Sequence, residues 1–195
     1  MSTEELQSPL LLETTLLKNF LQELKPSILK NGGRNFSEWG SGRGDGAGYA
    51  ELKFIYAEDT WEIRVSTEKR RVQEIQTKIK RRWLKKVETK TLAITLEVNF
   101  SLSAKSGPIP SEIISAIREK NSAIKREREG ISWIYLLHTE QELEQTQSQK
   151  ERNGIIVQEL FQKEKTNMLK NAKEVLETIF SITEVEEENR LAAAK

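Results

Sequence analysis

The chain offers few groups able to make or break covalent bonds. It has no cysteine and a single histidine, His138. Thiolate nucleophiles, disulfides, cysteine-built zinc sites and iron–sulfur clusters are therefore out of reach, and a histidine-based triad would rest on one imidazole. Carboxylates and lysines remain. Glu51-Leu52-Lys53 sets an acid and an amine two residues apart, and Glu62 and Glu97 fall on polar positions of later alternating segments. Acids grouped near a lysine hold Mg²⁺ and activate water, but Glu-x-Lys also arises readily on the wet face of any strand. The more distinctive chemistry is recognition. KRRVQEIQTKIKRRWLKK, Lys69 to Lys86, is the most basic stretch of the chain.

Charge is polarised along the sequence although the net charge is only +1. Residues 67–90 carry ten Lys/Arg against three Glu, and residues 131–195 carry eight against twelve. A basic middle and an acidic end suit an anionic partner or contact between copies. With 195 residues, 36% hydrophobic and 31% charged, the chain is long enough for one cored domain and has no apolar run of the roughly 20 residues that a membrane span requires. PLLLETTLL lacks the basic flank and small-residue cleavage site of a signal peptide. The expected setting is the cytoplasm, with no membrane partner.

The elements that would position these groups follow from periodicity. Leu6, Leu10, Leu17, Leu21, Leu24 and Ile28 form a helical stripe over about 9–30, closed by Pro26 and Asn31-Gly32-Gly33. The alternating glycines of residues 40–48 predict a flexible loop, and Trp39 beside it is the aromatic most free to stack on a base. Residues 49–66 alternate as a hairpin turning at Glu58-Asp59. Pairing Ala57 with Thr60 would then set Lys53 opposite Arg64. Residues 91–103 give the cleanest strand, with Leu92, Ile94, Leu96, Val98, Phe100 and Leu102 on one face. A helix over 110–126, a buried strand over 131–137 that is apolar on both faces, and a long amphipathic helix follow. His138 reads as a strand-end hydrogen-bonding residue.

The basic stretch reads as a helix over 67–88, because Val72, Ile75, Ile79, Trp83 and Val87 fall within about 120° at helical spacing. Its outer side would then carry Arg70, Arg71, Lys78, Arg81, Arg82 and Lys85, with Glu74 the one acid among them. Such a face neutralises phosphates and binds through counterion release.

The expected fold is thus α+β: a mostly antiparallel sheet of about four strands, covered by helices on one face, with a long C-terminal helical arm. The organisation expected is an α+β domain over 1–138, the arm over 139–182, and a disordered acidic tail over 183–195 whose last residues resemble a cloning remnant. The expected function is non-catalytic binding of a polyanion, DNA or RNA, through the six named cations, with no catalytic residue, metal or cofactor. One alternative is a scaffold self-associating through 154–180, where Val157, Leu160, Met168, Val175 and Ile179 form a stripe. The other has two placements, Glu51-Leu52-Lys53 with Asp45 upstream, or Glu62 and Glu97 on successive strands. With an α-β-β-(α)-β-α-β order they resemble the PD-(D/E)XK nucleases, which implies metal-dependent cleavage of nucleic acid.

Overall fold

A computed structural model describes residues 9–42, 48–82, 85–143 and 149–193. Two short helices, α1 (Pro9–Gln22) and α2 (Lys25–Lys30), lead into strands β1 (Arg34–Gly42), β2 (Gly48–Tyr56), β3 (Asp59–Arg82) and β4 (Lys85–Ala104). Helix α3 (Ser111–Lys120), the two-residue strand β5 (Lys125–Arg126), strand β6 (Gly130–Leu143) and helix α4 (Gln149–Ala193) complete the chain. The class is α+β, but the sheet has six strands rather than about four. They run antiparallel in the order β1-β2-β3-β4-β6-β5.

Helices cover one face. Alternation on β4 sends Leu96, Val98, Phe100 and Leu102 to the helix side, each no more than 2% exposed. Phe100 stacks on its neighbour Trp133 of β6, with centroids 5.2 Å apart. Phe20 of α1 meets Phe100 at 5.4 Å and Phe161 of α4 at 6.0 Å, so aromatic contacts link both helices to the sheet. On α4, Phe161, Met168, Ala172, Val175 and Ile179 are buried, at the three- and four-residue steps that line one side of a helix. The stripe read as an arm is therefore the lid of the core. Asn121 Nδ2 donates to Asn171 Oδ1 at 3.3 Å, and Asn171 Nδ2 donates in turn to the Tyr135 hydroxyl. Partial burial raises the Tyr135 pKa, while the Asn171 bond opposes the shift.

Several expectations are corrected. Residues 67–82 are strand, not helix, and with 85–104 they form one long hairpin. The cause is a bulge: β3 shifts register between Thr67 and Lys69 and again between Glu74 and Gln76. An extra residue in a strand breaks its two-residue period, so apolar residues three and four apart mimic a helix. Their β-branched types, Val72, Ile75 and Ile79, suit a strand.

The glycine-rich stretch is also partly strand, since Gly40 and Gly42 end β1 and Gly48 opens β2. Residues 43–47 lie outside the described residues. A side chain at Gly40 would sit 2.9 Å from the Tyr49 carbonyl oxygen, so here glycine permits close strand approach. Helix α3 stops at Lys120 rather than 126, and 125–126 are β5. Strand β6 runs on to Leu143, and α4 continues to Ala193 through the stretch read as a disordered tail. β6 is not buried on both faces, for Ile134 and Leu136 are 40% and 69% exposed.

The β2–β3 turn is one residue earlier than expected. Tyr56 pairs with Asp59, and Ala57 and Glu58 make the turn with φ of 47° and 63°, the left-handed pair that a two-residue hairpin turn requires. Lys53 therefore faces Glu62, and Arg64 faces Glu51, replacing a like-charge pairing with two complementary ones.

Candidate nucleic-acid interface

The sheet face opposite the helices is open. It follows from the register of β4, whose Glu97, Asn99, Ser101 and Ser103 alternate with the buried Leu96, Val98, Phe100 and Leu102. One row across this face joins Trp39, Glu51, Arg64, Ser101 and Ser132, and the next joins Ser41, Tyr49, Ser66, Asn99 and Ile134.

Charges in the middle of the face are internally matched. Lys53 Nζ lies 3.3 Å from Glu51 Oε1 and 3.1 Å from Glu62 Oε2, and Arg64 Nη2 lies 3.6 Å from Glu51 Oε2. Hydrogen bonds to Glu62, then to Glu51, hold the Lys53 pKa above its ordinary 10.5. Glu51 is only 9% exposed despite facing away from the core, which is tolerable for a carboxylate with two cationic partners. Arg64 also lies over the Tyr49 ring, 4.4 Å from its centroid, and Tyr49 sits 5.3 Å from Trp39. Trp39 is 55% exposed.

Following the same face along β3 leads onto the ribbon. Register alone assigns positions here. Opposite β4 residues 85–97 of the open face stand Lys69, Arg71, Gln73, Gln76, Lys78, Lys80 and Arg82. Lys85 is the β4 member of the last pair. The helix-side rows hold Arg70, Val72, Glu74, Thr77, Ile79 and Arg81, paired with Leu96, Ile94, Leu92, Lys90, Glu88 and Lys86. Glu68 and Ile75 are unpaired at the bulges. Of the six cations expected on one helix side, Arg71, Lys78, Arg82 and Lys85 thus share the open face, while Arg70 and Arg81 fall on the other. Lys69 and Lys80, outside the helical set, join the open face. No acid stands on it between Lys69 and Arg82 or between Lys85 and Thr95, and Glu97, the partner of Lys69, marks its inner limit. Glu74 and Glu88 are both on the helix side.

The ribbon also outruns its neighbours. β2 ends its pairing with β3 at Gly48 and Thr67, and β6 ends its pairing with β4 at Lys90 and Leu143. Among the described residues, 78–82 and 85–89 therefore pair only with each other. Trp83 lies outside the described residues. On β6 the open-face rows carry Glu140 and Glu142 instead, so the cationic track follows β3.

The acids and lysine of the nuclease resemblance are only partly together. Glu51, Lys53 and Glu62 adjoin, but Glu97 is six residues along β4 from Ser103, the partner of Glu62, or about 20 Å. Asp45 lies outside the described residues, and no helix separates β3 from β4. Among the described residues, no group of three or more acids or His is placed to hold a metal ion. Lys53, Glu62, Lys105, Arg128 and Glu129 line an open cleft of about 560 Å³ of mixed charge. His138 Nδ1 lies 3.1 Å from Thr95 Oγ1, its cross-strand neighbour, a hydrogen-bonding position inside β6 rather than at the strand end expected. Leu160, Met168, Val175 and Ile179, proposed to join copies, are buried against this same chain. No helix among the described residues is long and apolar enough to cross a membrane.

Comparison with protein-family models, with curated proteins and with solved structures gives no match to this chain.

Proposed function

We propose that this protein binds nucleic acid without strong dependence on base sequence, through the open face of its β3–β4 ribbon, and does so without catalysing a reaction. One observation carries the reading: the register gathers six cations on that face and sets Glu74 and Glu88, the acids paired farther out on the ribbon, on the other. A ribbon kept only for folding has no reason to sort its charges in this way. Phosphates spaced along a nucleic acid meet such a track with release of counterions, a term that is large and independent of sequence. Arginine at Arg71 and Arg82 adds bidentate phosphate contact.

The test compares two sets of substitutions in the full chain. Arg71→Gln, Lys78→Gln, Arg82→Gln and Lys85→Gln together are expected to weaken binding to DNA or RNA and to flatten its salt dependence by about one unit per lost phosphate contact. Arg70→Gln with Arg81→Gln is expected to do markedly less. Equal behaviour of the parent and the four-Gln variant, or no binding by the parent at about 50 mM salt, overturns the reading.

A further inference from the structure

We infer that the open sheet face beside the ribbon is a stacking platform, and that the preferred ligand is a single strand, DNA or RNA, whose unpaired bases lie on Trp39, which Tyr49 backs. The inference rests on the proposed nucleic-acid reading and names its substrate class.

Three observations converge on it. The first is aromatic surface. Trp39 is more than half exposed on edge strand β1, packed against Tyr49 on one side, with Arg64 over the Tyr49 ring. An exposed indole packed on a ring that a guanidinium in turn covers is a fixed planar surface. Unpaired bases stack on such surfaces regardless of sequence, whereas bases inside a duplex offer no open π-face.

The second is an unmet donor. Asn99 Nδ2 is buried with no hydrogen-bond partner among the described residues. It belongs to the Tyr49 row, two strands away, about 10 Å at ordinary strand spacing. A buried amide left without a partner costs free energy, and a base edge or sugar hydroxyl on this face would supply the acceptor once the Asn99 side chain turns outward. Ser66, the residue between Tyr49 and Asn99 in that row, is small.

The third is continuity. Arg64 and Lys69 lie on the same strand and the same face, separated by about 16 Å of backbone. A single strand stacked on Trp39 can therefore run its phosphates directly onto the cationic track. The platform itself has no charge excess, since Lys53 and Arg64 are matched by Glu51 and Glu62. Stacking and phosphate contact are thus spatially divided, and their effects separate in an experiment.

Binding would be measured by fluorescence anisotropy with labelled oligonucleotides of about 20 nucleotides, longer than one stacking site. The arms are single-stranded DNA, single-stranded RNA and a duplex of the same sequence. Trp39→Ala, folded by circular dichroism, is expected to weaken single-strand binding about 5- to 100-fold, the equivalent of one stacked base. Its salt slope and its duplex affinity should stay at the parent values, and Trp39→Phe should recover part of the loss. Single-strand binding unchanged by Trp39→Ala but weakened by the four-Gln variant overturns the platform and leaves the ribbon reading standing. A parent that prefers duplex to both single strands also overturns it. A parent that binds none of the three overturns both readings.

Discussion

Arg64 reaches from β3 to set its Nη2 3.6 Å from the Oε2 of Glu51, its direct partner on β2. The pairing fixes the hairpin's register, because a slip by two residues along the ladder would bring Arg64 opposite Lys53. Cross-strand pairs of opposite charge contribute modestly when exposed, yet Glu51 is nearly buried, where losing a partner costs more.

A double-mutant cycle over Glu51→Ala and Arg64→Ala should therefore give a favourable coupling of about 0.5–1 kcal/mol by urea unfolding. The charge-swapped pair Glu51→Arg with Arg64→Glu should be more stable than either swap alone. Additive effects would mean that the two side chains do not read one another.

The turn at Ala57 and Glu58 holds two L-residues at positive φ, a conformation that costs about 1–2 kcal/mol per residue for all but glycine and asparagine. The double substitution Ala57→Asn with Glu58→Gly should raise stability by about 1 kcal/mol after the added freedom of the unfolded chain is counted. A lowered urea midpoint would refute the turn.

Phe180 is 1% exposed, its ring 4.5 Å from Tyr56 and 6.4 Å from Phe54, and its carbonyl accepts the Tyr56 hydroxyl at 3.0 Å. Phe180→Ala should destabilise by about 3–5 kcal/mol. Leu136→Ala, on the open face, should stay within about 0.5 kcal/mol of the parent. Similar losses for the two would contradict the assignment of faces.

Lys53 gives a pH signature. Folding raises its pKa, so its contribution is complete below the unfolded value of about 10.4 and fades as pH climbs through the folded one. The stability gap between the parent and Lys53→Met should narrow as pH rises above about 10.4. Because the side chain is 41% exposed, solvent screening keeps the gap small. A gap that widens with alkali would contradict the Glu51–Lys53–Glu62 arrangement.

What the sequence discloses depends on whether the local period survives. Leu96, Val98, Phe100 and Leu102 keep strict alternation on an unbulged strand, and their face is legible at once. Val72, Ile75 and Ile79 straddle a bulge, which turns a strand into a false helix and misassigns Arg70 and Arg81. β1 is hidden because Gly40 serves strand approach instead of a loop and Gly42 ends the strand. The hairpin register slips because Ala57-Glu58 carries none of the Asn or Gly that ordinarily marks such a turn. For the site, the cations and Trp39 are visible in the sequence. Their common face is not, since it is a property of pairing between distant segments.

The position of Phe180 also governs when the fold can close during synthesis. Its partners Tyr56 and Phe54 belong to β2 of the β2–β3 hairpin, and Tyr56 is 124 residues earlier in the chain. At about 5–20 residues per second, the ribosome leaves that hairpin exposed for roughly 6–25 s before its covering helix emerges. Throughout that interval Phe54 and Tyr56 lack Phe180, so the part of the nascent sheet that α1 does not cover presents an apolar surface of the kind that chaperones retain. Closure of the core over Tyr56 and Phe54 thus waits on the synthesis of α4, 124 residues after Tyr56.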